Sequence, residues 1–274
     1  MSLFPARSPR PVRRWQHGNA GVLRGVPCRR MHRGRPVRRS TTSGPAADRT
    51  TEGVEGMDRP VIGIFGAGKV GTALARLLVA SGHRVLIAGS PRQTALDLVV
   101  GVVAPGTEVA SPDALVAAAD VIVVAVPFGK AGTVPWGSFD GRIVVDAMNY
   151  WPPIDGAIPE VDADPRSTSE INAARNPAAR LVKSLNHLGY HEMEDDSMPP
   201  GSTLRRALAV VGDDPEARRV IARLIDAIGF DPVDGGALAH GVLLEPGHPV
   251  FGRELSCAEL GALLTPRAPE AAAA

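Results

Sequence analysis

Three glycines near residue 66 have the spacing of a phosphate-binding loop. Gly66, Gly68 and Gly71 form the pattern Gly-x-Gly-x-x-Gly between the apolar run 61–65 and a segment with helix-forming residues. In this context the first glycine permits a tight turn, the second lets the backbone approach a pyrophosphate, and the third lets the helix pack against the strand. The N–H groups at the helix start attract the phosphates. The predicted dinucleotide-binding residues of this loop are Gly66, Ala67, Gly68, Lys69, Val70 and Gly71.

The end of the second predicted strand lacks the acidic residue that a NAD site usually carries. An Asp or Glu there accepts from the ribose 2′-hydroxyl, but residues 88–92 read Ala-Gly-Ser-Pro-Arg. The hydroxyl of Ser90 and the guanidinium of Arg92 stand where a 2′-phosphate would lie, and arginine matches phosphate geometry well. We therefore expect NADP(H) as the cofactor. The alternative is that Ser90 only caps the next helix and Arg92 is solvated.

The elements that must position these residues alternate from Met57 onward. Strands are predicted at 61–65, 84–88, 108–110, 121–126, 142–145, 180–185, 207–211 and 230–233. Helical patterns lie between them, at 69–81, from 91 to about 101, from 111 to 119, after 167 and at 217–228. This alternation predicts an α/β fold with a doubly wound parallel sheet covered on both faces. Ligands of such sheets bind beyond the carboxyl ends of the strands, where Gly66, Ser90, Pro127 and Asn149 fall.

Charge divides the chain into a basic segment and a mildly acidic remainder. Residues 1–56 contain 12 arginines, three acidic residues and no apolar periodicity. We predict that they are a disordered tail, or upstream sequence included by a wrong start with Met57 as the true start. A basic arm for nucleic acid or an acidic surface and a targeting peptide are the alternatives. Residues 266–274, rich in Pro and Ala, are predicted to be a second disordered tail.

Bulk properties argue against several classes of protein. No segment is long and apolar enough to span a membrane. The mildly acidic charge beyond residue 56 argues against nucleic-acid binding. Cys28 and Cys257 have neither metal-binding nor redox spacing, which indicates a reducing compartment and predicts a cytoplasmic location.

Five stretches of the chain, in this order, resemble the NADPH-dependent reductases of the 8-hydroxy-5-deazaflavin coenzyme F-420. The stretches are 61–71, 89–90, 121–127, 180–186 and 211–214. The resemblance covers roughly residues 57–252 and implies a Rossmann-like doubly wound parallel sheet with a small α/β C-terminal domain. It further implies a homodimer that passes hydride between NADPH and the deazaflavin in a cleft between the domains. The expected domains are 57–150 for NADP binding and 151–265 for substrate binding and dimerisation.

The resemblance also implies cofactor contacts in the loops at four strand ends. These loops match the phosphate loop, the serine that binds the 2′-phosphate and two loops beside the nicotinamide ribose. The matching residues, in that order, are Gly66, Gly68, Val70 and Gly71, then Ser90, then Val126 with Pro127, and the region of Asn149. Arg92 stands one position later than the family's arginine because Pro91 is inserted.

On the substrate side, segment 185–187 matches the lining of the deazaflavin cleft but differs from it in residue type. Hydride transfer to a deazaflavin does not require an acid, whereas a ketone or imine acceptor does. We name Asn186 and His187 as catalytic candidates, with Tyr190 and His191 as further acids. A metal site on His187 and His191, four residues apart, and a plain surface segment are the alternatives, and we expect no bound metal.

The sequence therefore predicts an NADP-dependent oxidoreductase whose partner is a small-molecule redox acceptor, with the F-420 deazaflavin favoured. Flavin, carbonyl and imine acceptors are alternatives within the enzyme class. A non-catalytic NADP-binding regulator, whose basic tail contacts a partner, is the alternative of another class. His240, Glu245 and His248 either face the cleft or belong to a packed loop.

Overall fold

The computed structural model describes residues 59–90 and 95–265, which form a single eight-stranded sheet packed with helices. Its strands are β1 (Ile62–Phe65), β2 (Val85–Ala88), β3 (Glu108–Val109), β4 (Val121–Val124), β5 (Ile143–Asp146), β6 (Arg180–Lys183), β7 (Ala207–Gly212) and β8 (Asp231–Gly236). Both predicted tails lie outside the described residues. So do Pro91, the predicted start of a helix, and Arg92, a predicted cofactor-binding residue. No helix of the described part is long and apolar enough to cross a membrane.

The strand order is β3-β2-β1-β4-β5-β6-β7-β8. Neighbouring strands from β3 to β6 run parallel, β6 and β7 pair antiparallel, and β7 and β8 are parallel to each other. The sheet is thus mixed and mostly parallel, and the predicted α/β class is confirmed. The chain order reverses at β1, which has β2 on one side and β4 on the other. In open sheets of this kind, the crevice at such a reversal is where ligands bind.

The second half of the chain continues this sheet. Strands β6, β7 and β8 add to its edge beside β5. The antiparallel pairing of β6 with β7 joins Lys183 to Val211. A separate substrate and dimerisation domain over 151–265 stays a prediction.

The described part of the chain contains nine α-helices and three 3₁₀ segments. The helices are α1 (Lys69–Ala80), α2 (Leu96–Val103), α3 (Pro112–Ala118), α4 (Pro152–Asp155), α5 (Pro159–Asp162), α6 (Thr168–Ala173), α7 (Glu192–Asp195), α8 (Pro215–Ala227) and α9 (Cys257–Leu264). The 3₁₀ segments are Phe128–Thr133, Trp136–Ser138 and Leu238–Leu244. Helix α9 was not predicted from the sequence, although Ser256 and Glu259 form the same capping box that Ser167 and Glu170 form before α6.

Strand β1 shows how the sheet is buried from both sides. All four of its residues are buried. Ile62 and Ile64 pack in a hydrophobic cluster with side chains of α1 and α8, whereas Phe65 packs in another cluster with α3, Trp136 and Phe139. A continuous apolar run is what a parallel strand covered on both faces requires. The core therefore holds the carboxyl end of β1 rigidly at the reversal point.

Candidate functional site

The carboxyl ends of five neighbouring parallel strands form one row across the sheet. The register pairs Ala88 with Phe65, Phe65 with Val124, Val124 with Asp146, and Asp146 with Lys183. The predicted site residues follow this row within three positions of each strand end. They are Ser90 after β2, Gly66 after β1, Val126 and Pro127 after β4, Asn149 after β5 and Asn186 after β6. The structure therefore brings residues from five separate parts of the chain to one edge.

The glycine loop has the three conformational properties that the sequence predicts. Gly66 has φ +118°, and a Cβ atom on it would lie 2.4 Å from the carbonyl oxygen of Ala125. A Cβ on Gly71 would lie 1.7 Å from the carbonyl oxygen of Gly66, so α1 packs tightly under the turn. No atom lies within 4 Å of a Cβ built on Gly68, which faces open space. The first and third glycines therefore build the fold, and the second leaves room for a ligand.

The start of α1 is suited to an anion. Gly68 is the N-cap residue, no side chain caps the helix, and its first turn contains no acidic residue. The N–H of Thr72 makes the first bond of the helix, to the carbonyl of Gly68 at 2.9 Å. The partial positive charge of the helix start is thus not neutralised by a cap or an acidic residue of its own first turn, which favours a bound phosphate.

Lys69 connects the glycine loop to the segment after β6. Its ammonium Nζ donates to the hydroxyl of Tyr190 at 3.0 Å and lies 5.0 Å from the centre of that ring. About two helical turns further along α1, Arg76 donates to Glu194 of α7, with 2.7 Å between Nε and Oε1. These contacts hold segment 188–195 against α1. Tyr190, a candidate acid, therefore lies beside the phosphate loop.

Asn149 and Asn186 face each other across the ends of β5 and β6. The amide Nδ2 of Asn149 donates to the carbonyl of Asn186 at 2.7 Å, and Nδ2 of Asn186 donates to Oδ1 of Asn149 at 2.9 Å. The second hydrogen of Asn186 Nδ2 goes to the carbonyl of Leu244 at 2.8 Å. Leu185 has φ +63°, an uncommon conformation for a residue with a Cβ, and it turns the chain between β6 and Asn186. We call these two residues the Asn149–Asn186 bridge.

His187 lies in the interior, and this position does not favour the proton-donor function predicted from the sequence. It is 1% exposed, and its Nε2 accepts from the backbone N–H of Ala209 at 3.2 Å while Nδ1 lies 3.3 Å from Oδ1 of Asn186. Both ring nitrogens thus have partners in the protein. Burial, with the positive charges of Arg206 and Lys183, lowers the pKa of His187 to about 3. The neutral ring therefore links Asn186 to the backbone of β7.

The other candidate residues named from the sequence bond to nearby groups of the protein. Nδ1 of His240 lies 2.6 Å from the carbonyl of Gly235, and Glu245 accepts from the N–H and hydroxyl of Thr168. His191 is exposed while His187 is buried, so the spacing of four residues does not bring them together as ligands. Within ranges 59–90 and 95–265, no three His, Cys, Asp or Glu side chains are grouped as a cation site.

Sequence reasoning missed a buried ion pair between Asp146 and Lys183. Both side chains are fully buried at the ends of β5 and β6, with 3.7 Å between Nζ and Oδ2. The available signal was a charged residue at the end of each of two apolar strands. A lysine at such a position is normally expected to be solvated, so its burial could be found only from the packing.

The comparisons with known proteins agree with this geometry. Residues 61–150 match the family model described as NADP oxidoreductase coenzyme F-420-dependent. This part of the chain is therefore similar to that family. The matched range begins one residue before β1 and ends just after Asn149, so it contains the glycine loop and four of the five strand ends of the row. The chain is accordingly classed with the NADP-dependent oxidoreductases.

Two solved structures share the fold over most of this chain. A hypothetical protein of Sinorhizobium meliloti is 29% identical with a TM-score of 0.63, and the match covers 74% of this chain and 98% of that one. A structure from Arthrobacter sp., named a putative F-420-dependent NADP reductase, is 23% identical with a TM-score of 0.59 and covers 72% and 99% of the two chains. At that identity the second match shows the fold alone.

A curated relative extends the sequence similarity beyond residue 150. Metalloreductase STEAP3 of Rattus norvegicus is 30% identical over 186 residues, which make up 66% of this chain and 35% of that protein. The chain spans less than half the length of the curated relatives that it matches. The reactions and substrates of the full-length relatives are therefore not assigned to this chain by the similarity.

The glycine loop allows a matched pair of substitutions. We expect Gly68→Ala to keep the melting temperature and weaken NADP+ binding at least about tenfold, because its methyl group enters the ligand space without meeting protein. We expect Gly71→Ala to lower the free energy of unfolding by about 3 kcal/mol, because its methyl group overlaps a backbone carbonyl. Thermal melts and titration calorimetry distinguish the two effects. Loss of folding in Gly68→Ala, or unchanged stability in Gly71→Ala, would contradict the assignment.

Stability should decrease on acidification because His187 is buried as the neutral form. Its pKa of about 3 in the folded state lies below the unfolded value of about 6.5. The contribution to stability is therefore complete above pH 6.5 and is lost as the pH falls toward 3, by about 2 kcal/mol at pH 5. In His187→Gln, whose amide oxygen can still accept from Ala209, we expect a correspondingly smaller fall between pH 7 and pH 5 in urea titrations. The exposed His191, replaced by Gln, should leave the wild-type dependence unchanged; equal curves for all three proteins would refute the assignment.

Proposed function

We propose that this protein binds NADP(H) along the row of strand ends and transfers hydride between it and the deazaflavin of coenzyme F-420. The observation that carries the proposal is the open, uncapped start of α1 behind Gly68, within the region that matches the family. The 2′-phosphate would lie at Ser90, the pyrophosphate at the glycine loop and the nicotinamide toward Asn149. The residues therefore fit the cofactor in both charge and space.

The protein's own part in such a reaction is alignment and exclusion of water. Bound NADPH supplies the hydride and both electrons. The Asn149–Asn186 bridge gives the loops after β5 and β6 a fixed separation, and fixed loops can hold two rings in contact. The buried, internally bonded His187 offers no obvious acid for a ketone or imine. An acceptor that needs no protein acid is therefore favoured over a carbonyl or imine.

Two aromatic rings beside the bridge form a surface suited to a planar acceptor. The rings of Trp151 and Phe251 are stacked, with centroids 6.5 Å apart and planes inclined by 20°. Trp151 is two residues after Asn149, and Gly252 beside Phe251 donates to the carbonyl of His187 at 3.0 Å. Trp151 is 40% exposed. A flat tricyclic ring can stack there, which a small carbonyl substrate cannot do as favourably.

A homodimer and a cytoplasmic location are proposed on the family resemblance. An apolar groove of about 800 Å³ lies between the Leu238–Leu244 segment and α9, with Leu243, Leu255 and Leu263 in its lining. A second copy of the chain is the occupant that the resemblance implies. Sedimentation of the full chain tests this assembly.

The cofactor preference should depend on Ser90. In Ser90→Asp, the new carboxylate repels a 2′-phosphate and can accept from a ribose 2′-hydroxyl. We expect NADPH affinity to fall at least about tenfold and NADH affinity to rise. Ser138→Asp, which adds the same charge at an exposed position before β5, should leave both affinities unchanged. Equal binding of NADPH and NADH by the wild type would reject the NADP assignment.

The acceptor is tested by the oxidation of NADPH with F-420, FMN, ferric citrate and small imines as separate acceptors. We expect the fastest turnover with F-420, and a KM for F-420 raised about three- to tenfold in Trp151→Ala and Phe251→Ala. Val102→Ala, which trims a residue of α2 that is 81% exposed, is the control and should behave as the wild type. Turnover with ferric citrate or imine alone would replace the deazaflavin proposal, and NADPH binding without any turnover would favour the regulator.

A further inference from the structure

The pair Asp146 and Lys183 lies at the β5–β6 end of the row of strand ends and does not reach solvent. The two residues are register partners at the ends of β5 and β6, and both side chains are 0% exposed. A buried ion pair is weak evidence for stability, because well-packed apolar residues often serve as well or better. Stability alone therefore does not explain why this pair is buried, and the groups that the two charges bind should be considered instead.

Both charges hold the backbone of the same residue, Met148. Oδ1 of Asp146 accepts from the N–H of Met148 at 3.0 Å. Nζ of Lys183 donates to the carbonyl of Met148, also at 3.0 Å. The backbone on both sides of Met148 is thus fixed, and the next residue is Asn149 of the Asn149–Asn186 bridge. The conformation of the loop after β5 is set by these two contacts.

The carboxylate of Asp146 is held in turn by α6. Its Oδ2 accepts from the hydroxyl of Ser169 at 2.6 Å and from Nδ2 of Asn172 at 3.2 Å. With the Met148 N–H and the Lys183 ammonium, the group has four partners, so its charge is satisfied inside the protein. A fully satisfied polar network of this kind specifies one arrangement of the chain.

The ammonium of Lys183 is enclosed by the Leu238–Leu244 segment and α6. A Cβ built on Gly241 would lie 3.2 Å from Cδ of Lys183, so the segment packs directly on the lysine stem. The hydroxyl of Thr168 lies 3.5 Å from Nζ and donates to Glu245 at 2.7 Å. The same segment ends at Leu244, whose carbonyl accepts from Asn186. Both asparagines of the bridge are therefore tied to the buried pair.

We propose that Asp146 and Lys183 are positioning residues that fix the Asn149–Asn186 bridge for the nicotinamide half of NADP(H). This inference rests on the proposed function, because it takes the row of strand ends as the cofactor site. The network makes no contact with Gly68 or Ser90 among the described hydrogen bonds. Its loss should therefore weaken binding of the nicotinamide half and leave binding of the adenosine 2′-phosphate half unchanged.

The test compares NADP+ with adenosine 2′,5′-bisphosphate, which lacks the nicotinamide. In the double variant Asp146→Asn/Lys183→Met, where no buried charge is left unpaired, we expect the Kd for NADP+ to rise about tenfold and kcat to fall about tenfold or more. The Kd for adenosine 2′,5′-bisphosphate should stay within about twofold of the wild type. Titration calorimetry with both ligands gives the ratio of the two Kd values, which a loss of stability alone would not change.

Two further variants keep the test decisive if the double variant folds poorly. Ser169→Ala removes one donor to Asp146, and we expect it to shift the Kd ratio in the same direction by about threefold. Arg205→Met removes a buried cation that pairs with Asp226 and Asp231 outside the network, and should lower the melting temperature without shifting the ratio. If both the double variant and Ser169→Ala keep the wild-type ratio of the two Kd values, this inference is overturned while the proposed function stands. A wild-type protein that binds neither ligand would overturn the proposed function as well.

Discussion

The close approach of helix α1 to strand β1 is the constraint on which the site depends. The carbonyl of Gly66 occupies the space that a side chain at residue 71 would need, and the carbonyl of Ala125 occupies the space beside residue 66. The chain can therefore turn from strand to helix within a few residues, with β4 directly alongside. Because the turn is this tight, Gly68 and the first N–H groups of α1 lie at the surface of the crevice. The same steric condition builds the fold and exposes the phosphate-binding surface.

The row of strand ends contains two kinds of polar surface. Beside β1 and β2 the polar groups are backbone N–H groups and exposed side chains, which suit a charged phosphate that keeps part of its hydration. Beside β5 and β6 the charges are buried and satisfied within the protein. A nicotinamide ring that must meet an acceptor needs fixed surroundings and little water, and an internally satisfied network provides both. The two ends of the row therefore differ in their physical environment, as the proposed orientation of the dinucleotide requires.

Hydride transfer fits a site whose histidine is buried and has both ring nitrogens bonded within the protein. His187 is bonded through both ring nitrogens and stays neutral at ordinary pH, so its contribution is to the packing of β7 against the segment after β6. Near the glycine loop, the exposed Lys69 bonds to the half-buried Tyr190. What this site provides is shape, a positive helix start and a rigid bridge. These are the requirements for aligning two rings.

Local signals in the sequence determined the glycine loop, the apolar strands and the capped helices, because each depends on residues within one turn or one strand. The capping box before α9 is equally local and was available, but it was not recognised in the sequence. Tertiary structure alone decided the burial of His187, the bridge between Asn149 and Asn186, and the pairing of Asp146 with Lys183. These contacts join residues 22 to 37 positions apart. The two pairs exist because the parallel strands β5 and β6 end in register, and the histidine contact exists because β7 pairs with β6. No pattern within a single segment encodes these pairings.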